Sequence, residues 1–118
     1  VTAAVIYRPA IRELLRDLKL RRPASPDTAK GWHLTRCWLS REDAGRYSLI
    51  VPAMYGPLDF LRLVTAATIE EATGAGLIGL GELMPMPPYN YGGQKYRWRT
   101  IQQGQTITLT EHGMAAAR

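Results

Sequence analysis

The chain has 118 residues, 46% of them apolar and 21% charged, proportions ordinary for a globular protein. That length fits one domain, residues 1–118, able to bury roughly two-thirds of the surface that its unfolded chain exposes. No apolar run approaches the roughly 20 residues that span a bilayer, so no membrane partner is expected.

The single cysteine, Cys37, excludes an internal disulfide and fits a reducing compartment, so a cytoplasmic location is expected. The opening residues Val1 to Ile6 lack the basic start and the length of a secretory signal. Net charge is +5 and uneven: +5 over residues 1–46, −2 over 47–95 and +2 over 96–118. Basic ends around a mildly acidic middle suit an anionic partner, or serve solubility alone.

Tyr7 to Arg22 has the pattern of an amphipathic helix. Pro9 suits its first turn, and Ile11, Leu14, Leu15 and Leu18 recur at helical spacing. Along one flank of that apolar stripe fall Arg8, Arg12, Arg16, Lys19 and Arg22, a row able to face phosphates or an acidic partner. Pro23 and Pro26 end the helix and open a linker that runs to Gly31.

Trp32 to Ser40 reads as a strand, with Trp32, Leu34, Arg36 and Trp38 on one face and His33, Thr35, Cys37 and Leu39 on the other. A polar turn over Arg41 to Gly45, with room for one helical turn at Ser40 to Asp43, leads to a second strand, Arg46 to Val51. Tyr47, Leu49 and Val51 form the core side of that strand, and the two strands predict an antiparallel hairpin.

Gly56 to Thr73 predicts a central helix. Pro57 fits its first position, Asp59 complements its dipole, and Leu58, Leu61, Thr65, Ile69 and Ala72 share one face. Gly74 or Gly76 would supply the left-handed residue that ends it. Gly74-Ala75-Gly76-Leu77-Ile78-Gly79 matches G-x-G-x-x-G, but the dinucleotide mechanism needs a strand before the glycines and a helix after them. Here a helix precedes, three prolines follow, and Arg97-Trp98-Arg99 stands where an acidic ribose ligand belongs. The run is read instead as a helix cap leading into a short strand, Gly76 to Leu83, and no cofactor is expected.

Met84 to Gln94 is an irregular loop in which prolines stiffen the backbone around Tyr89 and Tyr91. Those rings suit stacking on a base, a sugar or another flat molecule, or else fold back over the sheet edge. Lys95 to Gln102 and Gln105 to Glu111 predict a hairpin around Gln103-Gly104. In it Tyr96 and Trp98 face the core, Arg97, Arg99 and Ile101 face the other way, and Ile107 and Leu109 alternate with threonines. Residues 113–118 read as a frayed tail.

The fold class is therefore α+β: a largely antiparallel sheet packed on a central helix, preceded by an amphipathic helix. No catalytic motif stands out. His33 lies too far along the strand from Cys37 for a Cys–His pair, His112 could approach from the last strand, and no zinc-ligand spacing is present; Cys37 is read as a structural core residue.

Three functions follow. The first is a basic, non-catalytic binding module for an anionic partner, nucleic acid above all, using Arg8, Arg12, Arg16, Lys19, Arg22, Arg97 and Arg99. The second is a small-ligand-binding domain or small enzyme with the Tyr89–Tyr91 loop as a lid. The third is a homo-oligomeric interaction subunit.

Overall fold

The computed structural model describes residues 6–21, 35–53, 58–92, 97–100 and 103–117. Helix α1 (Pro9–Leu20) precedes a meander of strands β1 (Cys37–Asp43), β2 (Arg46–Pro52) and β3 (Leu58–Thr65). Helix α2 (Ala66–Gly74) and strands β4 (Ile78–Leu80), β5 (Met84–Pro85) and β6 (Tyr89–Asn90) follow. Strands β7 (Trp98–Arg99) and β8 (Gln103–Leu109) lead to helix α3 (Glu111–Ala116). The sheet runs β4-β8-β1-β2-β3-β6-β7, with β5 paired to β8 off that path. Among the described residues only the β3–β6 pairing is parallel. The α+β class and the N-terminal helix are as the sequence predicts.

The sheet is covered on both faces. Leu39, Leu49, Val51, Val64 and Ile107 pack under the helices with Ile11, Leu14, Leu15 and Leu18 of α1 and Ile69 and Ala72 of α2. On the opposite face Trp38, Ile50 and Leu58 pack with Met86 and Tyr89. Each large side chain so buried stabilises the fold by roughly 1.5–3 kcal/mol. Helix α1 is tied to β3 through Arg62, whose Nε and Nη2 both lie 2.9 Å from Asp17 Oδ2.

The central helix needs correction. Residues Leu58 to Thr65 are strand β3, paired with β2 along its length, and only Ala66 to Gly74 is helical. Thr65 Oγ1 caps that shorter helix by accepting from Thr68 N–H at 3.2 Å. A β-bulge explains the helical look of β3. Leu49 pairs with Arg62 and Ile50 with Phe60, so Leu61 is an extra residue. The bulge puts Phe60 and Leu63 on one face and Arg62 and Val64 on the other, spacings that resemble three-residue steps.

The glycine run is a helix cap, as read. Gly76 has φ of +73°, its N–H donates to Thr73 O at 3.0 Å, and Leu77 N–H donates to Ala72 O at 3.0 Å. Those two bonds are the Schellman pattern, and β4 begins at the next residue.

Four further expectations change. Arg41 to Asp43 stay in β1, so the turn of the β1–β2 hairpin is only Ala44-Gly45, where Asp43 Oδ1 accepts from Gly45 N–H at 2.9 Å. The Met84–Asn90 stretch contains β5 and β6 rather than an uninterrupted loop. The hairpin around Gln103-Gly104 does not form: β7 pairs with β6, and β8 lies between β4 and β1. Gly104 sits inside β8 because a Cβ there would come within 2.7 Å of Met86 Sδ and 2.9 Å of Leu39 O. Residues 113–116 belong to α3, whose N-cap Thr110 accepts from Gly113 N–H at 2.9 Å. The expected strand positions Trp32 to Leu34, with Tyr96 and Ile101, lie outside the described residues.

Two substitutions check this core. Leu39→Ala, at a position buried between β2 and β8, is expected to cost about 2–5 kcal/mol in a denaturant titration. Gly104→Ala is expected to cost about 1–3 kcal/mol by forcing β8 away from Met86 and Leu39; an unchanged midpoint would contradict the close approach.

Candidate functional site

On the sheet face away from the helices, a pocket of about 170 Å³ opens where the Met86–Tyr89 cover stops. Ser48 of β2 and Leu63 of β3, cross-strand partners, line it with Phe60. Glu42, Tyr89, Tyr91 and Arg99 complete the lining.

Local sequence sets these positions. The β1–β2 register shifts between Arg41 and Asp43, so Glu42 is a bulged residue. Alternation along β1 puts Glu42 on the face of Trp38 and Ser40, and its carboxylate meets Ser48 of β2 there. The β3 bulge returns Leu63 to the face that holds Phe60. Tyr89 and Arg99 are register partners of β6 and β7, so their side chains stand on one face.

The polar groups form one chain. Ser48 Oγ donates to Glu42 Oε1 at 2.5 Å, and Arg99 Nη1 donates to the same oxygen at 2.8 Å. Arg99 Nη1 also donates to Tyr89 Oη at 3.0 Å. The guanidinium carbon lies 5.3 Å from the Tyr91 ring centre and 6.0 Å from that of Tyr89, within cation–π range. Burial pushes the Tyr89 hydroxyl above its ordinary pKa, with Arg99 pulling the other way, so the phenol stays protonated at neutral pH. Tyr89 is fully covered, whereas Tyr91 keeps 43% of its surface exposed and the Arg99 side chain 40%. The site is thus a small aromatic recess with a neutralised charge pair on its wall and one open ring beside it.

The residues expected to bind an anion divide between two places. Tyr89, Tyr91 and Arg99 converge on the pocket, and Arg97 is exposed one residue before β7. On α1, across the sheet, Arg8 pairs closely with Glu71, and Lys19 Nζ donates to Ala117 O at 3.2 Å. Arg12 and Arg16 are exposed and make no ion pair among the described residues; Arg22 lies outside them. Trp98, read as core, is 43% exposed because β7 is the last strand of the sheet path.

Sequence reasoning missed Glu42 and Ser48. Ser48 was legible as the face of the second strand opposite Tyr47 and Leu49. Glu42 was not, because the sequence predicts a first strand ending at Ser40 and a turn over Arg41 to Gly45, whereas β1 runs on to Asp43.

Cys37 is buried on the helix side and does not approach the pocket. Its partner candidate His112 is exposed on α3, and His33 lies outside the described residues. Among the described residues no three His, Cys, Asp or Glu side chains gather as a metal site. No helix among them is long and apolar enough to cross a membrane. No known protein family matches the chain, and comparisons with curated proteins and with solved structures return no match.

Burial pushes the Cys37 thiol from its ordinary 9.0 up to about 12. Alkylation of the folded protein at pH 8 is therefore expected to run far slower than that of a free thiol and to track unfolding. A raised thiol pKa stabilises the fold fully below the unfolded value. That contribution is lost as pH climbs from about 9 toward about 12, which a denaturation series over that range can follow.

Proposed function

We propose that the chain is a non-catalytic binding domain for an anionic partner that carries flat rings, and that the Tyr91–Arg99 pocket receives one ring. The observation that carries this reading is the convergence of Tyr89, Tyr91 and Arg99 on one recess, with Tyr91 half open beside it. A recess of about 170 Å³ suits one ring system; a dry cavity of about 150 Å³ is enough to hold benzene. Phe60 and Leu63 supply apolar wall, while Tyr91 and the guanidinium plane supply stacking surface.

Charge favours an anion outside the recess rather than within it. Glu42 already neutralises Arg99 inside. Exposed Arg97, two residues along the same chain segment, offers an open cation near the mouth. Nucleic acid, the partner class expected from the sequence, has this arrangement of rings on an anionic backbone.

Phenyl phosphate is a minimal probe of the reading. Titration is expected to shift the amide resonances of Ser48, Leu63 and Tyr91 and the Arg99 side-chain nitrogen. Tyr91→Ala should weaken binding by roughly 1–3 kcal/mol, the usual worth of a stacked ring. Absence of any shift at millimolar probe would end the pocket reading.

A second reading has its own support in Arg12 and Arg16, exposed and unpaired on α1 among the described residues. Contact of this helix with a phosphate backbone predicts steep salt dependence. Replacing Arg12, Arg16 and Lys19 together by Gln should then flatten the salt slope by about one unit per lost contact while leaving the fold intact. An unchanged slope would assign α1 a solvated surface.

A further inference from the structure

The pocket wall presents a hydrogen-bond donor and an acceptor side by side. Arg99 uses Nη1 for both Glu42 and Tyr89, and its Nε and Nη2 have no partner among the described residues. Glu42 uses Oε1 for both Arg99 and Ser48, and its Oε2 has none there. These atoms are open to water, and a ligand in the recess that bonds to them takes the place of that water.

Their pairing also excludes ligands. A ring bearing a carboxylate would meet Glu42, and a ring bearing an ammonium would meet Arg99. Either charge would gain from one member of the pair and be repelled by the other, 2.8 Å away. A neutral ring with an acceptor next to a donor meets neither obstacle and satisfies both free groups.

We propose that the ring selected here is a nucleobase, guanine ahead of the others. This rests on the pocket reading above and adds the identity of the ring. Guanine sets a carbonyl oxygen, a strong acceptor suited to Arg99, beside a ring N–H and an exocyclic amino group suited to the Glu42 carboxylate. Adenine and cytosine also set an amino donor beside an acceptor, but that acceptor is a ring nitrogen and no ring N–H adds a second donor for Glu42. Uracil keeps the carbonyl and N–H but lacks the second donor, and its single ring covers less of the apolar wall formed by Phe60 and Leu63. Stacking on Tyr91 serves all bases alike, so discrimination falls to Arg99 and Glu42.

The test is a nucleotide series on the unmodified protein, read by calorimetry or by the Arg99 side-chain resonances. GMP is expected to bind about tenfold or more tightly than AMP or CMP, with IMP, which lacks the exocyclic amino group, in between. Glu42→Gln should lower GMP affinity about tenfold and narrow the spread among bases. An unchanged circular-dichroism spectrum and denaturation midpoint show that the variant is folded.

A guanine-containing single-stranded hexanucleotide separates the two sources of such a base. Binding well above that of GMP, and falling with salt, assigns the pocket to single strands; equal affinity assigns it to free nucleotides. Phenyl phosphate bound while the four nucleotides bind with equal affinity, or while none of them binds, overturns the guanine assignment and leaves the pocket reading standing. Loss of phenyl phosphate binding as well removes both.

Discussion

The central strands of this sheet are buried on both faces, and most other features follow from the need to cover them twice. Leu39 and Leu49 need one cover, Trp38 and Ile50 another. Helix α1 supplies the first with an apolar stripe long enough to cross β1, β2 and β8. The second comes from an irregular segment that contributes little more than Met86 and Tyr89. That second cover is too short for the face. Where it ends, the sheet is left with Ser48, Phe60 and Leu63 at the bottom of a recess rather than under a packed layer.

Two ion pairs with different surroundings show how charge is used. Arg62 and Asp17 are both mostly covered and link helix to sheet, so removing either would leave a charge stranded against the core. Arg99 and Glu42 are more open, and a pair that exposed adds little to stability. Its effect is positional. It holds the guanidinium between two tyrosines and fixes one carboxylate oxygen, leaving the other side of each group turned toward whatever enters.

The sequence is legible where periodicity and burial agree. In α1 the four apolar residues at helical spacing are the four that are buried. In β2 the alternation of Tyr47, Leu49 and Val51 matches the helix-covered face, and the Gly76 turn is readable from a glycine just past a helical pattern. Legibility fails at bulges. An added residue in β3 converts a period of two into steps of three, and Leu58-Asp59-Phe60-Leu61-Arg62-Leu63-Val64 then imitates a helix face. Phe60, Val64 and Thr65, residues common in strands, were the counter-signal. Glu42 was hidden because the predicted first strand stops at Ser40, two residues short of it. At Gln103-Gly104 a glycine suggested a turn, whereas its small size serves close approach inside a strand. The convergence of Tyr89, Tyr91 and Arg99 was half legible: the residue types were singled out, but their meeting depends on β7 pairing with β6, which no local pattern announces.

The interior position of β8 has a consequence for the order of assembly. This strand is the last among the described residues, yet it sits between β4 and β1, pairing Ile107 with both Leu80 and Cys37. A ribosome therefore releases the β1–β2–β3 meander with β1 as a bare edge, its backbone donors and acceptors open to any passing strand. Helix α1 can lie over the meander meanwhile, but the edge closes only when the final strand emerges and inserts. Such long-range pairing is slow compared with hairpin formation. The growing chain is thus most vulnerable to mispairing in the interval before β8 emerges, and a chaperone that shields strand edges would act in that interval.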